Sequence, residues 1–425
     1  MKTFAVLVFV ACVLSLAVAE PRNWVVIVSG SNGYSNYRHQ SDVYHAVQML
    51  RENGYQDEHM IVMQYNDVPF NARNPVKGEV YNNPDHINYF VDIPMDYTGN
   101  DCTAANFLAV LSGQKDKVKG GSGRVVESTA EDNVLWLFFD HGAPGLVAFP
   151  AGGYLYVKPL RETVEYMFKN KRYNKMVFYT EACESGSMYV DWSDEMAKMN
   201  VYATTAANPF ESSYAYYYDS MVSAYLGDLY SITYMEDIDE NGVDRTMQEQ
   251  FDNVILRKVT SSHPQQYGNM TIAQEPLSNY FAAPGFRGKN LKPKSNKANS
   301  NVNYEIMNTY DLKLKTLERA YDESNCQSER SRLKTLINAE SRRRDWTDSL
   351  FSGLVDLVAP NLKATGLLDY TKINHECYQQ TIENFTQHCG VVNDYGMRYM
   401  KVFAHFCNMN IHPDVIRQAA AELCH

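Results

Sequence analysis

Two apolar runs that each lead to a reactive side chain constrain the fold of this chain more than any other feature. The first, Val134 to Phe139, leads to His141, and the second, Met176 to Tyr179, leads to Cys183. Unbroken apolar runs of this length are typical of strands that are buried on both faces of a parallel sheet. Because ligand sites collect at the carboxyl ends of such strands, we expect His141 and Cys183 to lie at one edge of the sheet.

A thiol next to an imidazole is the arrangement that activates a cysteine nucleophile. The imidazole accepts the proton of the thiol, and backbone N–H groups hold the oxyanion that forms on the substrate. A single cysteine at a strand end is more often a small buried hydrophobic residue. The presence of both residues on matched strand ends favours catalysis, so His141 and Cys183 are the candidate catalytic pair.

Alternating strands and helices continue from residue 23 to about residue 287. The predicted strands include Trp24 to Val28, Met60 to Met63 and Val201 to Thr205, and the predicted helices include Ser41 to Arg51 and a segment near Glu162 to Asn170. Such alternation predicts an α/β fold with a mostly parallel sheet and helices on both of its faces. The stretch from Asn66 to Pro84 is dense in asparagine and proline, which indicates a loop.

The first 19 residues have the features of a secretory signal peptide. Lys2 supplies a positive start, an apolar core follows, and Ala17-Val18-Ala19 forms a cleavage site. Secretion permits disulfide bonds and N-glycosylation, for which Asn269 and Asn384 begin acceptor triplets. The formal charge of −11 argues against a nucleic-acid partner. No later apolar stretch is long enough to span a membrane, so no membrane partner is expected.

Composition changes sharply after the α/β region. Residues 285–303 are basic, polar and rich in asparagine, which is typical of a flexible linker, and helical apolar spacing follows from Tyr310 to Ala339 and beyond. In a secreted chain, four clustered cysteines predict two disulfide bonds with three possible pairings. These cysteines are Cys377, Cys389, Cys407 and Cys424, while the upstream thiols of Cys102, Cys183 and Cys326 are expected to be free.

No metal or other cofactor is expected. The chain has neither an H-E-x-x-H motif nor a ladder of cysteine and histidine ligands. The run Asp237 to Gly242 imitates the start of a calcium loop, but Gln248 stands where the twelfth position requires a bidentate glutamate. We interpret the run as an Asx-rich turn that caps a helix extending to Lys258.

Several long blocks of sequence resemble one family. The blocks are WVVIVSGSNGYSNYRHQ (24–40), DHG (140–142), KMVFYTEACESGSM (175–188), VYATTAANPFESSYAYYYD (201–219) and YLGDLYS (225–231). They resemble the legumains, asparaginyl endopeptidases that belong with the caspases in one clan of cysteine peptidases. The resemblance implies a caspase-like sheet followed by a small helical prodomain. It also implies a signal peptide at 1–19, a catalytic domain at 20–286, a linker and activation peptide at 287–345 and an inhibitory prodomain at 346–425.

The resemblance assigns roles to single residues. Cys183 would be the nucleophile and His141 its proton acceptor, oriented by Asn36, while Gly142 and the amide of Cys183 would form the oxyanion hole. An asparagine side chain carries one carbonyl acceptor and one NH₂ donor, and the implied specificity pocket offers partners for both. Aspartate should enter this pocket only when acid protonates it. The implied pocket residues are Arg38, His39, Glu181, Ser213 and Asp228.

The resemblance also implies how the tail is held and released. It pairs Cys377 with Cys407 and Cys389 with Cys424, and it points Arg398 toward the active site. Arg342-Arg343-Arg344 would add positive charge against an acidic catalytic face. We hypothesise that protonation of carboxylates at acid pH weakens the hold of the tail, and that cleavage in the linker or near Asn308 releases it.

Further expectations concern chemistry, partners and compartment. Asp140 would be able to cyclise to a succinimide, a feature linked to peptide ligation in the family. The implied partners are peptides with asparagine at the scissile position, the chain's own prodomain and cystatin-type inhibitors, with the enzyme as a monomer. The implied compartment is a lysosome, an endosome or an acidic digestive lumen. The alternatives are a glycolipid-anchor transamidase-like enzyme and a secreted binding protein that keeps the fold without the chemistry.

Overall fold

The computed structural model describes residues 21–151, 153–286, 302–361 and 372–424, with the backbone alone at 302 and 303. The predicted signal peptide and residues 287–301 of the predicted linker lie outside the described residues. The β-strands are β1 (Asn23–Ser29), β2 (Met60–Gln64), β3 (Tyr97–Thr98), β4 (Asn133–Phe139), β5 (Gly142–Ala143), β6 (Leu146–Ala148), β7 (Tyr154–Tyr156), β8 (Lys175–Glu181), β9 (Val201–Thr205), β10 (Tyr214–Asp219), β11 (Ala224–Asp228), β12 (Gln265–Gly268), β13 (Val302–Asn303) and β14 (Met307–Asn308). The α-helices are α1 (Tyr37–Glu52), α2 (Ala104–Leu111), α3 (Val157–Lys169), α4 (Ser193–Lys198), α5 (Leu229–Asn241), α6 (Met247–Gln250), α7 (Leu256–Lys258), α8 (Met270–Ala273), α9 (Ser278–Phe281), α10 (Leu312–Glu323), α11 (Gln327–Val358), α12 (His375–Cys389), α13 (Lys401–Asn408) and α14 (Pro413–Leu423).

A seven-stranded sheet with the order β12-β9-β8-β4-β1-β2-β3 forms the centre of the catalytic part. All neighbouring strands are parallel except β12, which pairs with β9 in the antiparallel sense. The predicted α/β fold with a mostly parallel sheet is therefore confirmed. The strand β4, which leads to His141, lies directly beside β8, which leads to Cys183.

Both faces of the sheet are covered by helices. On β1, Val25 and Ile27 pack into an apolar cluster that includes α1 and α5, whereas Val26 and Val28 pack into a second cluster that includes α2 and α3. Every residue of β1 is buried. A strand that is covered on both faces needs apolar side chains at successive positions, which is why the runs in the sequence are unbroken.

Two predicted helices begin earlier than their apolar spacing indicates. Helix α1 begins at Tyr37 instead of Ser41, and its first turn contains the buried polar residues Arg38 and His39. Apolar periodicity does not reveal buried polar groups, so it could not predict this turn. Helix α3 begins at Val157, and Pro159 occupies its first turn, where proline is tolerated.

The structure contradicts the turn predicted at Asp237 to Gly242. The residues from Asp237 to Asn241 form the end of α5, and Gly242 follows the helix with a φ of 75°. The next helix is capped instead by Thr246, whose hydroxyl accepts a hydrogen bond from the N–H of Glu249 at 3.0 Å. The carboxylate of Glu249 accepts from the N–H of Thr246, which completes a capping box.

The C-terminal tail is a helical domain stapled by two disulfide bonds. Cys377 is joined to Cys407 and Cys389 to Cys424, the pairing that the resemblance implies. Cys102, Cys183 and Cys326 are free thiols. Helix α11 runs without interruption through residues 345 and 346, where the sequence placed the start of the prodomain. Among the described residues, no helix combines the length and the apolar character needed to cross a membrane.

A second, smaller sheet connects the tail to the catalytic part. The hairpin of β10 and β11 is antiparallel, and both β13 and β14 pair with β10 in the antiparallel sense. The segment that precedes α10 is thus an added strand on the edge of the catalytic domain.

Candidate active site

The parallel strands β4 and β8 end side by side and bring His141 close to Cys183. The last pair in their register is Phe139 with Glu181, and the N–H of Asp140 then donates to the carbonyl of Glu181 at 3.0 Å. A Cβ atom on Gly142 would lie 2.3 Å from the carbonyl oxygen of Cys183. Only glycine permits this approach, so the segments that carry the imidazole and the thiol are in contact.

The thiol of Cys183 is fully buried. Its Sγ accepts a hydrogen bond from the N–H of Ser213 at 3.3 Å and lies 3.7 Å from the Ser213 hydroxyl. Burial, together with the neighbouring Glu184, raises the pKa of Cys183 to about 12, although the bonds from Ser213 and the charge of Arg38 lower it. Burial therefore favours the thiol over the reactive thiolate.

Asn36 determines which nitrogen of His141 is the base. Its Oδ1 lies 3.0 Å from Nε2 of His141, and its Nδ2 donates to the carbonyl of Asn32 at 3.1 Å, which fixes the orientation of the amide. Because Oδ1 can only accept, Nε2 of His141 carries the proton. The Nδ1 atom is buried and has no hydrogen-bond partner among the described residues, so it is the free proton acceptor.

The pKa of His141 is lowered to about 4. Burial is the main cause; the carboxylate of Asp394 raises the pKa, and the cations of Arg38 and Lys313 lower it. Asp394 and Lys313 belong to the tail, and both line a cavity of about 380 Å³ beside His141. The tail thus acts on the pKa of His141 in both directions, since Asp394 favours the protonated imidazole and Lys313 favours the neutral one.

Arg38 and Asp228 form a buried ion pair next to the catalytic pair. Nε of Arg38 donates to Oδ1 of Asp228 at 2.8 Å, and each side chain is only 1% exposed. Glu181 is also buried, and its Oε2 accepts from the N–H and the hydroxyl of Ser231 at 3.1 and 3.0 Å. Nδ1 of His39 lies 2.6 Å from the hydroxyl of Ser31. All five pocket residues implied by the resemblance are buried.

Four polar atoms of this pocket are buried without a hydrogen-bond partner within the described part of the chain. One of them, Nε2 of His39, lies 3.4 Å from Oδ2 of Asp228. The other three, the unpaired set, are one donor, Nη2 of Arg38, and two acceptors, Oε1 of Glu181 and Oδ2 of Asp228. An unpaired buried polar atom is costly, and native proteins retain such atoms mainly where a ligand or water completes them. The unpaired set matches a primary amide, which has one acceptor oxygen and two N–H donors.

A metal-ligand arrangement exists beside the pocket. His39, Asp140 and His141 offer donor atoms that lie within 4.8 Å of one another. A metal ion held there would occupy a nitrogen of His141, which the thiol chemistry needs as a base. These residues therefore suit either metal binding or proton transfer, and the position of Cys183 favours proton transfer.

Comparisons with known proteins agree with this geometry. Residues 23–292 match the peptidase C13 family, and residues 344–424 match the legumain prodomain. The chain belongs to the legumain family. It is 38% identical to rat legumain over 416 residues, which cover 95% of this chain and 92% of that protein. It is 39% identical to human legumain, with 91% and 89% covered, and 33% identical to the vacuolar-processing enzyme of Vicia sativa, with 95% and 86% covered.

As a member of the legumain family, the protein is a cysteine endopeptidase made with an inhibitory prodomain. Its substrates are accordingly proteins and peptides. This assignment replaces the alternative of a secreted binding protein that keeps the fold without catalytic activity. The prodomain match and the legumain relatives also favour this assignment over the transamidase-like alternative.

The legumain tail covers the active site through contacts that the sequence analysis missed. The hydroxyl of Tyr310 donates to Oε2 of Glu184 at 2.8 Å, and Nδ2 of Asn36 donates to Oδ2 of Asp394 at 3.4 Å. Tyr310 is two residues after Asn308 and Asp394 is four residues before Arg398, the positions that the sequence analysis considered. No periodicity marks them, because contacts between domains leave no regular spacing in the sequence.

One arginine of the legumain tail, Arg344, is placed differently from what we expected. Arg344 donates to Glu340 at 3.2 Å, to Asp311 at 3.4 Å and to the carbonyl of Tyr310 at 3.1 Å, all within the tail. The prediction that this arginine faces acidic groups of the catalytic domain is wrong. The guanidinium of Arg398 lies 5.9 Å from the centre of the Tyr310 ring, so the ring stands near both Arg398 and Glu184.

The predicted glycosylation and succinimide positions differ in their surroundings. Asn269 caps the short helix α8, with its Oδ1 accepting from the N–H of Thr271 at 3.1 Å. Asn384 lies within α12, and its Nδ2 donates to the carbonyl of Pro413 at 3.0 Å. Both carboxylate oxygens of Asp140 are buried without a hydrogen-bond partner among the described groups, and burial raises the pKa of Asp140 well above its usual value.

Proposed function

We propose that this enzyme cleaves peptide bonds on the carboxyl side of asparagine. The observation that carries the proposal is the unpaired set in the pocket, which complements a carboxamide. Nη2 of Arg38 would donate to the amide oxygen, while Oε1 of Glu181 and Oδ2 of Asp228 would accept from the amide nitrogen. A pocket that pairs every polar atom of one side chain rejects side chains that leave a buried group unpaired.

Aspartate is a conditional substrate in this proposal. An ionised aspartate would place a third carboxylate against Glu181 and Asp228, with only Arg38 to compensate the charge. Protonation removes the charge and supplies an O–H donor in place of the amide N–H. Cleavage after aspartate should therefore require acid pH.

The reaction follows from the arrangement of the catalytic pair. Nδ1 of His141 accepts the thiol proton as Sγ of Cys183 attacks the scissile carbonyl, and the N–H groups of Gly142 and Cys183 would bind the oxyanion. The imidazolium then donates its proton to the departing amine, which leaves a thioester on Cys183. Water hydrolyses the thioester; an incoming peptide amine would instead form a new peptide bond and give ligation.

The pocket specificity is tested with peptides that differ only in the residue before the scissile bond. We expect asparagine to exceed glutamine by roughly 100-fold in kcat/KM at every pH, because one added methylene displaces the amide from its partners. Aspartate should approach asparagine only at acid pH. Equal cleavage after all three residues would contradict the proposal.

We propose that activation cleaves the bond between Asn308 and Thr309. In the register of β14 with β10, Asn308 stands opposite Tyr214, next to the pocket residue Ser213. The N–H of Thr309 donates to the carbonyl of Ser213 at 3.3 Å, and the hydroxyl of Thr309 donates to it at 3.0 Å. Asn303, the other described candidate, stands opposite Tyr218, farther from the pocket.

The domain boundaries fit this cut. We propose a catalytic domain at 20–286, a linker and activation peptide at 287–345 and a prodomain at 346–425, of which α11 joins the last two into one continuous element. Cleavage at Asn308 would then release α10 and α11 together with the prodomain.

Acid release of the tail is supported by the pKa of His141. With the tail in place, the pKa is about 4, and burial is its largest cause. Release admits water and brings the pKa back toward the ordinary value for histidine, so the released form binds one more proton between pH 6.5 and 4. The hold of the tail is therefore greatest above pH 6.5 and weakens as the pH falls.

The raised pKa of Glu184 opposes the release of the tail at acid pH. Burial raises its pKa to about 8, while its bond from Tyr310 and the cations Lys401 and Arg398 lower it. Release hydrates Glu184, which lowers the pKa, but it also removes these three tail residues, which raises the pKa. The two changes oppose one another, and we attribute the net acid release to His141.

An acidic compartment of the secretory pathway suits this behaviour. One relative is named a vacuolar-processing enzyme, and we propose a lysosome, an endosome or an acidic digestive lumen for this chain. A signal peptide at 1–19, glycans at Asn269 and Asn384, inhibition by cystatin-type proteins and a monomeric state complete the proposal. Cyclisation of Asp140 to a succinimide would draw on its buried carboxyl, whose Oδ1 lies 3.1 Å from Nδ1 of His39.

A further inference from the structure

A second layer of buried polar groups lies beneath the pocket. Asp42 is fully buried on α1, one helical turn after Arg38. Its Oδ2 accepts from the backbone N–H of Asp228 at 3.2 Å, at the point where β11 ends and α5 begins. Its Oδ1 accepts from the amide of Asn82 at 2.7 Å. Asp42 therefore ties together the two elements that carry Arg38 and Asp228.

Asn82 comes from the segment that the sequence predicts as a loop, yet it is fully buried. Its Nδ2 donates to Asp42 and also lies 3.0 Å from the carbonyl of Leu226 and 3.1 Å from the hydroxyl of Ser41. Its Oδ1 lies 2.6 Å from Nδ1 of His45. The loop thus places the Asn82 amide between α1 and β11, where it forms hydrogen bonds with groups on both elements.

The Asn82 amide is tightly packed against β11. A Cβ atom on Gly227 would lie 2.6 Å from Oδ1 of Asp42 and 2.7 Å from Nδ2 of Asn82. The residue before Asp228 must therefore be glycine for β11 to approach the pair. A strand that packs this tightly on a polar pair places the next side chain, Asp228, with little freedom.

The buried carboxyl groups of this layer need hydrogen-bond donors, and Asn82 supplies one of them. Asp42, Glu181 and Asp228 are three buried carboxyl groups, and Arg38 is the cation paired with them. His39, His45 and Tyr234 are the other titratable groups that face the cluster. Without the Asn82 amide and the Asp228 N–H, the Asp42 carboxyl would be buried without donors and would repel Asp228.

We propose that Asp42, held by Asn82, is a positioning residue of the asparagine pocket. It fixes Asp228 so that Oδ1 meets Arg38 and Oδ2 remains directed at the substrate amide. Neither Asp42 nor Asn82 touches the substrate in this proposal, and neither takes part in the thiol chemistry. The inference rests on the proposed asparagine specificity.

The test separates substrate binding from chemistry in the activated enzyme. The full-length proenzymes of the wild type, Asp42→Asn and Asn82→Ala are activated at the same acid pH, and active sites are counted by titration. We expect KM for the asparagine peptide to rise roughly 10-fold, because one buried hydrogen bond of the pocket is misplaced. The kcat should stay within about threefold, since His141 and Cys183 are untouched. The preference for asparagine over glutamine should fall, and the rate at which iodoacetamide alkylates Cys183 should not change.

Asp237→Asn is the matched control. Asp237 is a buried carboxyl at the far end of α5, paired with Arg245 at 2.6 Å and with the amide of Gln250 at 2.9 Å. Its replacement should lower the melting temperature and leave KM and the asparagine preference unchanged. If Asp42→Asn is not secreted as a folded protein, Asn82→Ala decides, because it removes the support and keeps the carboxyl.

The outcomes distinguish this inference from the proposed function. A wild-type enzyme that does not prefer asparagine overturns the specificity and this inference with it. A wild type that prefers asparagine, together with variants whose KM and preference are unchanged, overturns the positioning role alone. Equal changes in Asp42→Asn and Asp237→Asn would also overturn it, because they would show a general loss of stability.

Discussion

Nε2 of His141 lies 3.9 Å from Oδ2 of Asp394, so a carboxylate of the tail stands beside the proton acceptor of the active site. The same nitrogen is bound by Asn36, which also donates to Asp394. The prodomain therefore contacts the residue that orients the base as well as the base itself. Inhibition and pH response arise at one place in the structure.

The first prediction concerns the pH at which the tail is released. The covered His141 has a pKa of about 4 against an ordinary 6.5, so covering it costs about 3 kcal/mol more at pH 4 than at neutral pH. We expect the tail of the cleaved protein to stay bound above pH 6.5 and to dissociate progressively between pH 6.5 and 4. Gel filtration across this range measures the bound fraction.

Glu184→Gln provides the control for that measurement. The variant removes the group that opposes acid release and keeps an acceptor for the hydroxyl of Tyr310. The bound fraction should then fall at least as steeply with decreasing pH as in the wild type. A bound fraction that is independent of pH in both proteins would contradict the assignment to His141.

The second prediction concerns the orientation of the base. Asn36→Ala removes the acceptor that holds the proton on Nε2 of His141, and the imidazole can then present the wrong nitrogen to the thiol. We expect kcat to fall roughly 10- to 100-fold with little change in KM, as for the loss of a general base's partner. Asn32→Ala is the control, since that side chain donates to the carbonyl of Pro150 at 2.8 Å. Equal losses in both variants would argue against the orienting role.

The third prediction concerns the activation cut. Asn308→Gln keeps the pairing of β14 with β10 but adds one methylene to the side chain, which the proposed asparagine pocket rejects. We expect the fragment that begins at Thr309 to disappear from the products of acid activation, as identified by mass spectrometry. Asn303→Gln should leave this fragment unchanged. Its continued formation in Asn308→Gln would place the cut elsewhere.

The fourth prediction concerns the contact between Tyr310 and Glu184. Tyr310→Phe leaves the buried Glu184 carboxyl without this donor, which costs about 1–3 kcal/mol of the tail's hold. We expect the proenzyme variant to expose Cys183 more often, so that a thiol reagent labels it faster at pH 7. Tyr399→Phe is the control, because that hydroxyl donates to Asp348 within the tail at 2.8 Å. Identical labelling in both variants would contradict the prediction.

The sequence was informative where one physical rule applies along a continuous segment. The strands that lead to His141 and Cys183 were predictable, because burial on two faces requires unbroken apolar runs. Their placement on neighbouring strands made the catalytic pair a sound hypothesis. The stapled helical tail followed from four clustered cysteines in a chain with a predicted signal peptide.

Other features were not predictable because they depend on contacts between distant segments. Nothing local indicates that Asn82, in a segment rich in asparagine and proline, is fully buried beneath Asp228. The partners of Arg344 also depend on how α11 packs on the segment before α10. The pocket residues Arg38 and Asp228 became candidates through family resemblance, since an exposed ion pair has the same sequence pattern.

Because β14 pairs with β10, the tail competes with substrate peptides while it is covalently attached to the enzyme. The residue proposed for the activation cut, Asn308, stands opposite Tyr214, next to the pocket residue Ser213, and the covalent link keeps the local concentration of this segment independent of how much enzyme is present. Dilution therefore cannot switch the zymogen on, and neither can a modest excess of substrate. Activation of the zymogen therefore requires a chemical change. A cell that makes large amounts of the inactive form is accordingly at little risk from it.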